Sequence, residues 1–497
     1  MNQTNPTHEQ RLLIDGRLRP AENGKTLDVL NPATGQVAGV MADASPADVE
    51  EAIVAARRAF DTTDWSTDHA FRQRCLRQLH DAIVEEQEEL RAELVTEVGA
   101  PVSTTYTAQL DWPLSDGLLW PAQAIESIPW VWRNEDTERM GTISHRWVLK
   151  EAIGVVAAIL PWNFPFEILV NKLGPSLATG NTVIVKAASE TPWNAARVGR
   201  LIKERTDIPD GVVNVLTTRE RAGAQRLLSD PCVDMVSFTG STATGQLVLE
   251  KSASTFKRTL LELGGKSASI VLDDADLQTA VFTNAVAACM HAGQGCALPT
   301  RMLVHRSHYD EAVAALVAFF TEISYGDPTD PSILIGPIVS ARQRDRILDL
   351  IDTVRTEKSG RILVGGHAPT NQGEGFFVEP TLIVDVDNTS TIAQEEVFGP
   401  VLAVTPFDDD EDAIHLANES RYGLSGTVFS ATPERAARVV RGVRTGSFTV
   451  NGGTFYGADS PYGGYKASGI GRQGGREGLE TYLETKAVGS TIPLPLS

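Results

Sequence analysis

Between residues 154 and 245, short and wholly apolar runs alternate with stretches whose apolar positions recur at helical spacing. The runs predict strands at Gly154–Leu160, Thr182–Val185, Val212–Leu216 and Val233–Phe238. The stretches predict helices at Glu167–Ala178, Trp193–Arg205 and Arg221–Leu228, and one that starts near Thr244. Strands without polar positions are buried on both faces, as in a parallel sheet covered by helices. The pattern is typical of the doubly wound α/β sheets that bind dinucleotides.

A second α/β region is predicted from about residue 266 to residue 468. Its strands and helices are expected at Ala268–Leu272, Leu277–Met290, Met302–Ile323, Gly360–Val364, Val401–Pro406 and Glu411–Asn418. The acidic run Asp408–Asp412 is interpreted as the charged N-terminus of the last of these helices rather than as a metal site.

Smaller elements precede these two regions. Leu12–Ile14 and the Asp15-Gly16 turn predict a hairpin, and Ser45 with Pro46 predicts a capped helix start. The long charged stretch from Phe71 to Val98, with its spaced apolar residues, is also expected to be helical. Residues 125–150, which contain three tryptophans around a polar turn, predict an extended β-ribbon, and the tail from about residue 481 predicts a strand.

Composition narrows the class of protein. The 497 residues carry 44 Lys and Arg against 64 Asp and Glu, a formal net charge of −20. Nucleic acids and anionic membranes are bound by clustered cations, so this balance argues against both as partners. Four cysteines are too few for a disulfide scaffold, and no signal peptide or apolar run of about 18 residues is visible. We therefore expect a cytoplasmic protein.

Cys296 is the first candidate for chemistry. It ends the sequence GQGC at 293–296, where flanking glycines expose a thiol and backbone N–H groups can face a developing negative charge. Local sequence leaves two alternatives open. One is a buried structural cysteine, and the other is a zinc site with Cys289 and His291, which no ligand cluster supports.

Glu262 and Asn163 are the next candidates. Glu262 stands among apolar residues, where burial raises a carboxyl pKa and suits a general base, although a solvated strand-end carboxylate is the alternative. Asn163, in PWNFP at 161–165, follows a predicted strand and offers two amide donors where such sheets bind ligands. A rigid turn is the alternative there.

Two further segments suit a nucleotide. In GSTATG at 240–245 the glycines allow a pyrophosphate to approach a helix N-terminus, but the pattern is weak and also fits a tight turn. Lys186, with Ser189 and Glu190 after it, suits an adenosine ribose or its phosphate, and a solvated surface is the alternative.

Taken together, these segments resemble the aldehyde dehydrogenase superfamily over nearly the whole chain. The resemblance rests on six motifs in order: PWNFP at 161–165, FTGSTATG at 238–245, LELGGKS at 261–267, GQGC at 293–296, EEVFGP at 395–400 and PYGGYK at 461–466. The separations of 34 residues from Glu262 to Cys296 and 133 from Asn163 to Cys296 also fit the family.

The resemblance implies oxidation of an aldehyde to the carboxylic acid with NAD. Cys296 would attack the carbonyl, Asn163 and the Cys296 N–H would hold the oxyanion, and hydride transfer would leave a thioester. Glu262 would activate the water that hydrolyses this thioester. The cofactor would be bound by Trp162, Lys186, Ser189, Gly240, Ser241, Gly245, Glu396 and Phe398.

The sequence departs from the family pattern at the cofactor and at the proton relay. Ser189 stands where many members have a Glu that binds the ribose and repels a 2′-phosphate, so NADP stays open beside NAD. Lys186 and either Arg219 or Arg221 would be available to such a phosphate. Gln473 stands where many members have a Glu that relays a proton, so Glu262 would depend on water.

The expected substrate pocket mixes aromatic and polar groups, from Phe164, Glu167, Ile168, Asn171, Met290, Gly295, Tyr456 and Tyr462. Gly295 replaces a larger side chain of many members, which predicts a wider pocket on that side. No pair of arginines suits a carboxylated substrate and no metal ligand set is visible, so a medium-sized aromatic or aliphatic aldehyde is expected.

The resemblance also implies an α/β fold with a Rossmann-like cofactor domain, an α/β catalytic domain and a β-ribbon for oligomerisation. These are predicted at 1–127 with 150–262, at 263–468, and at 128–149 with 481–497. A homodimer or homotetramer is expected. A CoA-acylating relative and a non-catalytic protein that retains the fold are the alternatives, and the presence of Glu262, Cys296 and Asn163 argues against them.

Overall fold

The computed structural model describes residues 8–496, and its largest sheet has eight strands. In spatial order these are Gly469–Ile470, Arg258–Glu262, Met235–Thr239, Val155–Ile159, Thr182–Ala187, Val213–Thr217, Leu12–Ile14 and Arg17–Arg19. The five strands from Arg258–Glu262 to Val213–Thr217 are parallel. Val183 and Val185 pack into one apolar core and Ile184 into another, because successive side chains of a strand point to opposite faces.

The second sheet has seven strands and its own core. In spatial order they are Arg361–Val364, Thr381–Val384, Val401–Phe407, Arg301–His305, Ala268–Val271, Gly426–Phe429 and Thr449–Val450. A three-stranded sheet consists of Leu483–Ser490, Thr142–Ala152 and Val131–Arg139. Thr26–Leu30 and Val37–Ala42 form a separate antiparallel pair.

Helices connect the strands and cover the two large sheets. Before the first parallel strand the α-helices are Pro46–Thr62, His69–Glu85, Gln87–Glu93, Val102–Thr105, Asp111–Asp116 and Leu119–Ala124. Within the first parallel sheet they are Pro165–Ala178, Trp193–Arg205, Arg221–Ser229 and Thr242–Ser252. The remainder are Leu277–Cys289, Tyr309–Glu322, Ala341–Glu357, Thr391–Gln394, Asp410–Asn418, Pro433–Gly442 and Gly475–Thr481.

The predicted fold class is confirmed, and most predicted elements lie within a few residues of the observed ones. The N-terminal hairpin forms with Asp15-Gly16 as its turn. The helix Pro46–Thr62 begins at a reciprocal cap, in which Asp48 N donates to Ser45 Oγ and Ser45 N donates to the Asp48 carboxylate. Asp409 caps Asp410–Asn418, which confirms the interpretation of the acidic run as a helix start.

The stretch expected to be helical over residues 71–98 is helical, and it forms three consecutive segments. Glu86 leaves the helical conformation with φ −113° and ψ 25°, and a π-helical turn, Leu94–Val98, follows Gln87–Glu93. The Glu86 carboxylate accepts from Arg197 at 2.7 Å, so a contact with a distant helix accompanies the break. Sequence periodicity alone does not report such a contact.

The predicted ribbon forms, and the tail gives it a third strand. Leu483–Ser490 pairs antiparallel with Thr142–Ala152 along its full length. The first residues of the predicted ribbon differ, because Ile125–Ser127 forms a 3₁₀ turn. The residue boundaries of the three predicted domains stay a prediction. Within residues 8–496, no helix has the length and apolar character needed to cross a membrane.

The cap at Ser45 gives a test of helix stability. Replacing Ser45 with Ala removes the acceptor for Asp48 N and is expected to lower the unfolding free energy by about 1 kcal/mol. The midpoint of urea unfolding, followed by circular dichroism, measures the change. The exposed Ser229 caps no helix N-terminus, so Ser229→Ala serves as the control and is expected to stay within about 0.5 kcal/mol. Equal midpoints for the two variants would contradict the role of the cap.

Candidate active site

A cavity of about 590 Å³ lies where three neighbouring parallel strands of the first sheet end. Pro161 and Trp162 follow one strand, Gly240 and Ser241 another, and Glu262 ends the third. The carboxyl ends of parallel strands meet at one edge of a sheet, which is where such folds bind ligands. The opposite wall comes from the second region and includes Cys296, Glu396, Phe398 and Tyr462.

Asn163 and Cys296 are brought together although 133 residues separate them. Asn163 is buried, and its Nδ2 donates to the Gln294 carbonyl at 2.8 Å, two residues before the nucleophile candidate. The backbone carbonyl of Asn163 accepts a hydrogen bond from Gln109 Nε2 at 2.9 Å. One amide hydrogen of Asn163 is therefore engaged, and the second is available to a ligand oxygen beside Cys296.

The turn before Cys296 has an unusual backbone. His291, Ala292 and Gly293 all have positive φ, at 49°, 53° and 71°. Gln294 spans this turn, since its Nε2 donates to the carbonyls of His291 and Pro337 at 3.1 Å. Its Oε1 accepts from Val339 N at 2.9 Å. The side chain of Gln294 thus connects the nucleophile turn to a separate segment.

Glu262 reaches the cavity with both carboxylate oxygens buried. Within residues 8–496, neither oxygen has a hydrogen-bond partner. Burial raises the pKa of Glu262 to about 8, against the opposing charge of Lys172. A carboxylate that is buried without hydrogen bonds and faces a cavity is poised to accept a proton from a ligand or water.

The Cys296 thiol lies 3.1 Å from the hydroxyl of Tyr462. Burial, together with the negative charges of Glu262 and Glu167, raises the pKa of this thiol well above its usual range. The hydroxyl of Tyr462 works in the other direction by hydrogen bonding. The thiol therefore keeps its proton at neutral pH until a base or a bound ligand changes its surroundings.

Lys172 and Gln294 are two residues of the site that sequence reasoning did not single out. Lys172 is fully buried, and its Nζ lies 3.0 Å from Ser237 Oγ and 3.4 Å from Gln473 Oε1. Burial lowers the pKa of Lys172 to about 7. Its signal was available in the sequence, because it is the one lysine of the largely apolar helix Pro165–Ala178. Gln109, which contacts Asn163, is a third such residue, and no motif or pattern in the sequence distinguishes it.

One end of the cavity suits a flat ring and a sugar. The Trp162 and Phe398 rings are perpendicular, with centroids 5.3 Å apart. Beside them the Glu396 carboxylate accepts from Gly265 N at 2.9 Å, and burial raises its pKa to about 7. Gly240 and Ser241 line the same end, at the start of the helix Thr242–Ser252.

Three residues predicted to bind the cofactor do not line this cavity. Lys186 is near it, since its carbonyl accepts from Leu160 N at 3.0 Å, just before the Pro161 wall. Ser189 donates to the Glu190 carboxylate at 3.0 Å. Gly245 faces Leu263 instead, and a Cβ at this position would lie 2.5 Å from that side chain. Gly245 thus allows a helix to pack closely rather than lining the cavity.

All eight residues predicted for the substrate pocket line the cavity, namely Phe164, Glu167, Ile168, Asn171, Met290, Gly295, Tyr456 and Tyr462. The extra width expected at Gly295 is not open space. A Cβ there would lie 2.8 Å from Leu298, which fills the position.

The zinc alternative has no structural support. Cys289 and His291 are fully buried, whereas Cys296 borders the cavity. Within the described part of the chain, no three His, Cys, Asp or Glu side chains form a group that could hold a metal ion.

Comparison with known proteins agrees with this geometry. The model of the aldehyde dehydrogenase family matches residues 19–488. A 3-succinoylsemialdehyde-pyridine dehydrogenase of a Pseudomonas species is 38% identical over 477 residues, which cover 96% of this chain and 97% of that protein.

Solved structures give the same result. Betaine aldehyde dehydrogenase from Staphylococcus aureus in complex with NAD+ has a TM-score of 0.94 at 34% identity, covering 99% of this chain and 96% of that one. An aldehyde dehydrogenase from Mycobacterium tuberculosis complexed with NAD+ has a TM-score of 0.93 at 38% identity, covering 99% and 100%. The chain therefore belongs to the aldehyde dehydrogenase family, and it is an oxidoreductase that acts on aldehydes.

Proposed function

We propose that the protein oxidises an aldehyde to the carboxylic acid through an intermediate bound covalently to Cys296. One observation carries the proposal. The thiol of Cys296, the amide of Asn163 and the carboxylate of Glu262, from three separate segments, border the same cavity of about 590 Å³. A nucleophile, an oxyanion donor and a base in one cavity are the groups that acyl transfer to water requires.

The residues at the opposite end of the cavity fit NAD(P). Trp162 and Phe398 offer apolar ring faces, and Glu396 offers a carboxylate for the hydroxyls of the nicotinamide ribose. Gly240 and Ser241 border a helix N-terminus, where backbone N–H groups favour a pyrophosphate. When bound, the cofactor supplies the acceptor for the hydride.

The protein groups then act in sequence. The Cys296 sulfur, once deprotonated, bonds to the aldehyde carbon, and the second amide hydrogen of Asn163 with the Cys296 N–H stabilises the oxyanion. After the hydride has left, the acyl group is a thioester on Cys296. Glu262 takes a proton from a water whose oxygen bonds to the acyl carbon, and the thiolate leaves.

Release of that proton depends on water. The side-chain amide of Gln473 has no titratable proton at neutral pH, so it cannot relay a proton as a carboxylate would. Its Oε1 lies 3.4 Å from Lys172 Nζ. We infer that water in the cavity carries the proton away from Glu262. The buried carboxylate also favours hydrolysis over transfer to CoA, and the intact set of Cys296, Asn163 and Glu262 gives no support to a non-catalytic role.

NAD is the proposed cofactor in preference to NADP. Ser189 lacks the carboxylate that many family members have at this position. The Glu190 carboxylate lies 3.0 Å from the Ser189 hydroxyl and supplies a negative charge there instead. The cations expected to attract a 2′-phosphate are partly engaged. Lys186 Nζ donates to the Ala187 carbonyl, and the Arg219 guanidinium donates to the Asp28 carbonyl.

The substrate, assembly and location are proposed on coarser grounds. The volume and aromatic wall of the cavity suit a medium-sized aromatic or aliphatic aldehyde, and the Pseudomonas relative is named for an aldehyde that carries a pyridine.

Val131–Arg139 is a largely exposed edge strand that another subunit can pair with, which supports a homodimer or homotetramer. Four unpaired cysteines suit a reducing compartment such as the cytoplasm.

Replacing Cys296 with Ser tests the nucleophile. The alcohol is a far weaker nucleophile, so NADH formation at 340 nm is expected to fall by at least about a hundredfold while NAD binding, measured by calorimetry, persists. Cys232→Ser is the matched control, because this half-buried thiol lies outside the cavity. Full turnover by the Cys296 variant would refute the assignment.

Replacing Glu262 with Gln tests the base. Because hydride transfer precedes hydrolysis, the variant is expected to release one NADH per site in a burst and then stall. The raised pKa of Glu262 means that its basic form accumulates only above about pH 8, so wild-type turnover limited by hydrolysis rises through that pH. Stopped-flow absorbance from pH 6 to 9 measures both effects. An unchanged steady state, or a rise that persists in the variant, would count against this role.

Replacing Ser189 with Glu tests the cofactor site. A second carboxylate beside Glu190 is expected to raise KM for NADP more than KM for NAD, because only NADP carries the 2′-phosphate. Glu190→Gln is the matched opposite change and is expected to lower KM for NADP. Initial rates with both cofactors measure the ratio, and a ratio that moves in neither variant would place the 2′ position elsewhere.

A further inference from the structure

A second cavity of about 250 Å³ adjoins the one that contains Cys296. The two share eight lining residues, among them Glu167, Tyr456 and Tyr462, so a ligand that reaches Cys296 can extend into the smaller space. This second cavity lies on the substrate side, away from the residues that fit the cofactor. Its chemistry therefore bears on the part of the aldehyde that is remote from the reacting carbon.

Aromatic rings form much of its wall. Phe455, Tyr456 and Tyr462 are stacked, with centroids 5.5 to 6.3 Å apart, and Trp112 borders the same space. The face of an aromatic ring carries partial negative charge, and it attracts a cation most strongly where water is excluded. A wall of four aromatic side chains thus suits either an apolar group or a positively charged one.

Two carboxylates in the second cavity favour a positively charged group over an apolar one. Glu167 and Asp116 border the second cavity, and no Lys or Arg among the residues that the structure describes borders it. Asp116 already accepts from Ala458 N at 3.0 Å. Glu167 has only a weak contact, with Asn171 Nδ2 at 3.4 Å, which lies one helical turn away. Among residues 8–496, the Glu167 carboxylate therefore has no strong hydrogen-bond partner.

We propose that Glu167, with the aromatic wall, selects aldehydes whose far end carries an ammonium group. This inference rests on the proposed function and names its substrate class. The carbonyl would meet Cys296 while the cation enters the second cavity between Glu167 and the rings of Tyr456 and Trp112. An aldehyde with a terminal carboxylate would meet two acidic groups and no cation, so the same site rejects it.

The cost of burying Glu167 is consistent with this assignment. Burial and the nearby charge of Glu262 raise the pKa of Glu167 to about 8. An opposite charge placed beside such a group favours its ionised form. A bound ammonium would thus supply a counter-charge that the described part of the chain does not place beside Glu167.

Three aldehydes of similar shape test the proposal. They are 4-(trimethylammonio)butanal, its neutral isostere 5,5-dimethylhexanal, and glutaric semialdehyde as the anion. The quaternary ammonium cannot lose its charge, so pH changes affect the protein alone. We expect wild-type kcat/KM for the cation to exceed that for the neutral isostere by at least about tenfold, with the anion poorest.

Variants connect this preference to Glu167. E167Q keeps the shape and removes the charge, and it is expected to reduce the cation-to-neutral ratio of kcat/KM by about tenfold or more. E167D keeps the charge and is expected to retain part of the ratio. Glu311→Gln is the matched control, because Glu311 is an exposed glutamate in the first turn of another helix, and its ratio should not change.

The outcomes separate this inference from the proposed function. A wild-type ratio near one, or a ratio that E167Q leaves unchanged, would overturn the role of Glu167 while turnover of the neutral aldehyde upholds aldehyde oxidation. No NADH from any of the three aldehydes would overturn the proposal as well as the function on which it rests. If E167Q fails to fold, the wild-type ratio and E167D decide.

Discussion

The active site depends on the turn at residues 291–293, where three successive residues have left-handed backbone conformations. For two of them, which are not glycine, this conformation costs about 1–2 kcal/mol each. Gln294 offsets the cost by three side-chain hydrogen bonds to backbone groups. Because the backbone carbonyl of Gln294 also accepts a hydrogen bond from the side-chain amide of Asn163, the same residue holds Asn163 close to Cys296.

Around this turn the protein concentrates acidic groups that are costly to bury. Glu167, Glu262 and Glu396 all border one cavity, and burial raises the pKa of each. Glu262 weakens the apo protein most directly, since its carboxylate loses hydration without gaining a hydrogen-bond partner among residues 8–496. All three are also groups that ligands can satisfy, with ribose hydroxyls at one end and a substrate at the other. Binding is therefore expected to stabilise the folded chain.

The sequence predicted those elements whose formation depends on residues close together in the chain. The strands between residues 154 and 239 and the helix cap at Ser45 were predicted correctly. Each depends on a pattern of apolar or capping residues only a few positions long. The helix Ala341–Glu357 and the pair Thr26–Leu30 with Val37–Ala42 were missed, as was the break at Glu86, which faces Arg197 more than 100 positions away. In the site, the motif residues Asn163, Glu262 and Cys296 all border the cavity. Gln109 belongs to no motif, and only the fold brings it to the backbone carbonyl of Asn163.

The third strand of the ribbon also has a consequence for synthesis of the chain on the ribosome. Leu483 pairs with Ala152, so this edge of the ribbon stays open until about 330 further residues have been translated. At translation rates of about 5–20 residues per second, that interval lasts roughly 15 to 70 s. During it, Thr142–Ala152 presents unpaired backbone groups beside other nascent chains. Until the tail strand has been made, that edge is open to pairing with another chain.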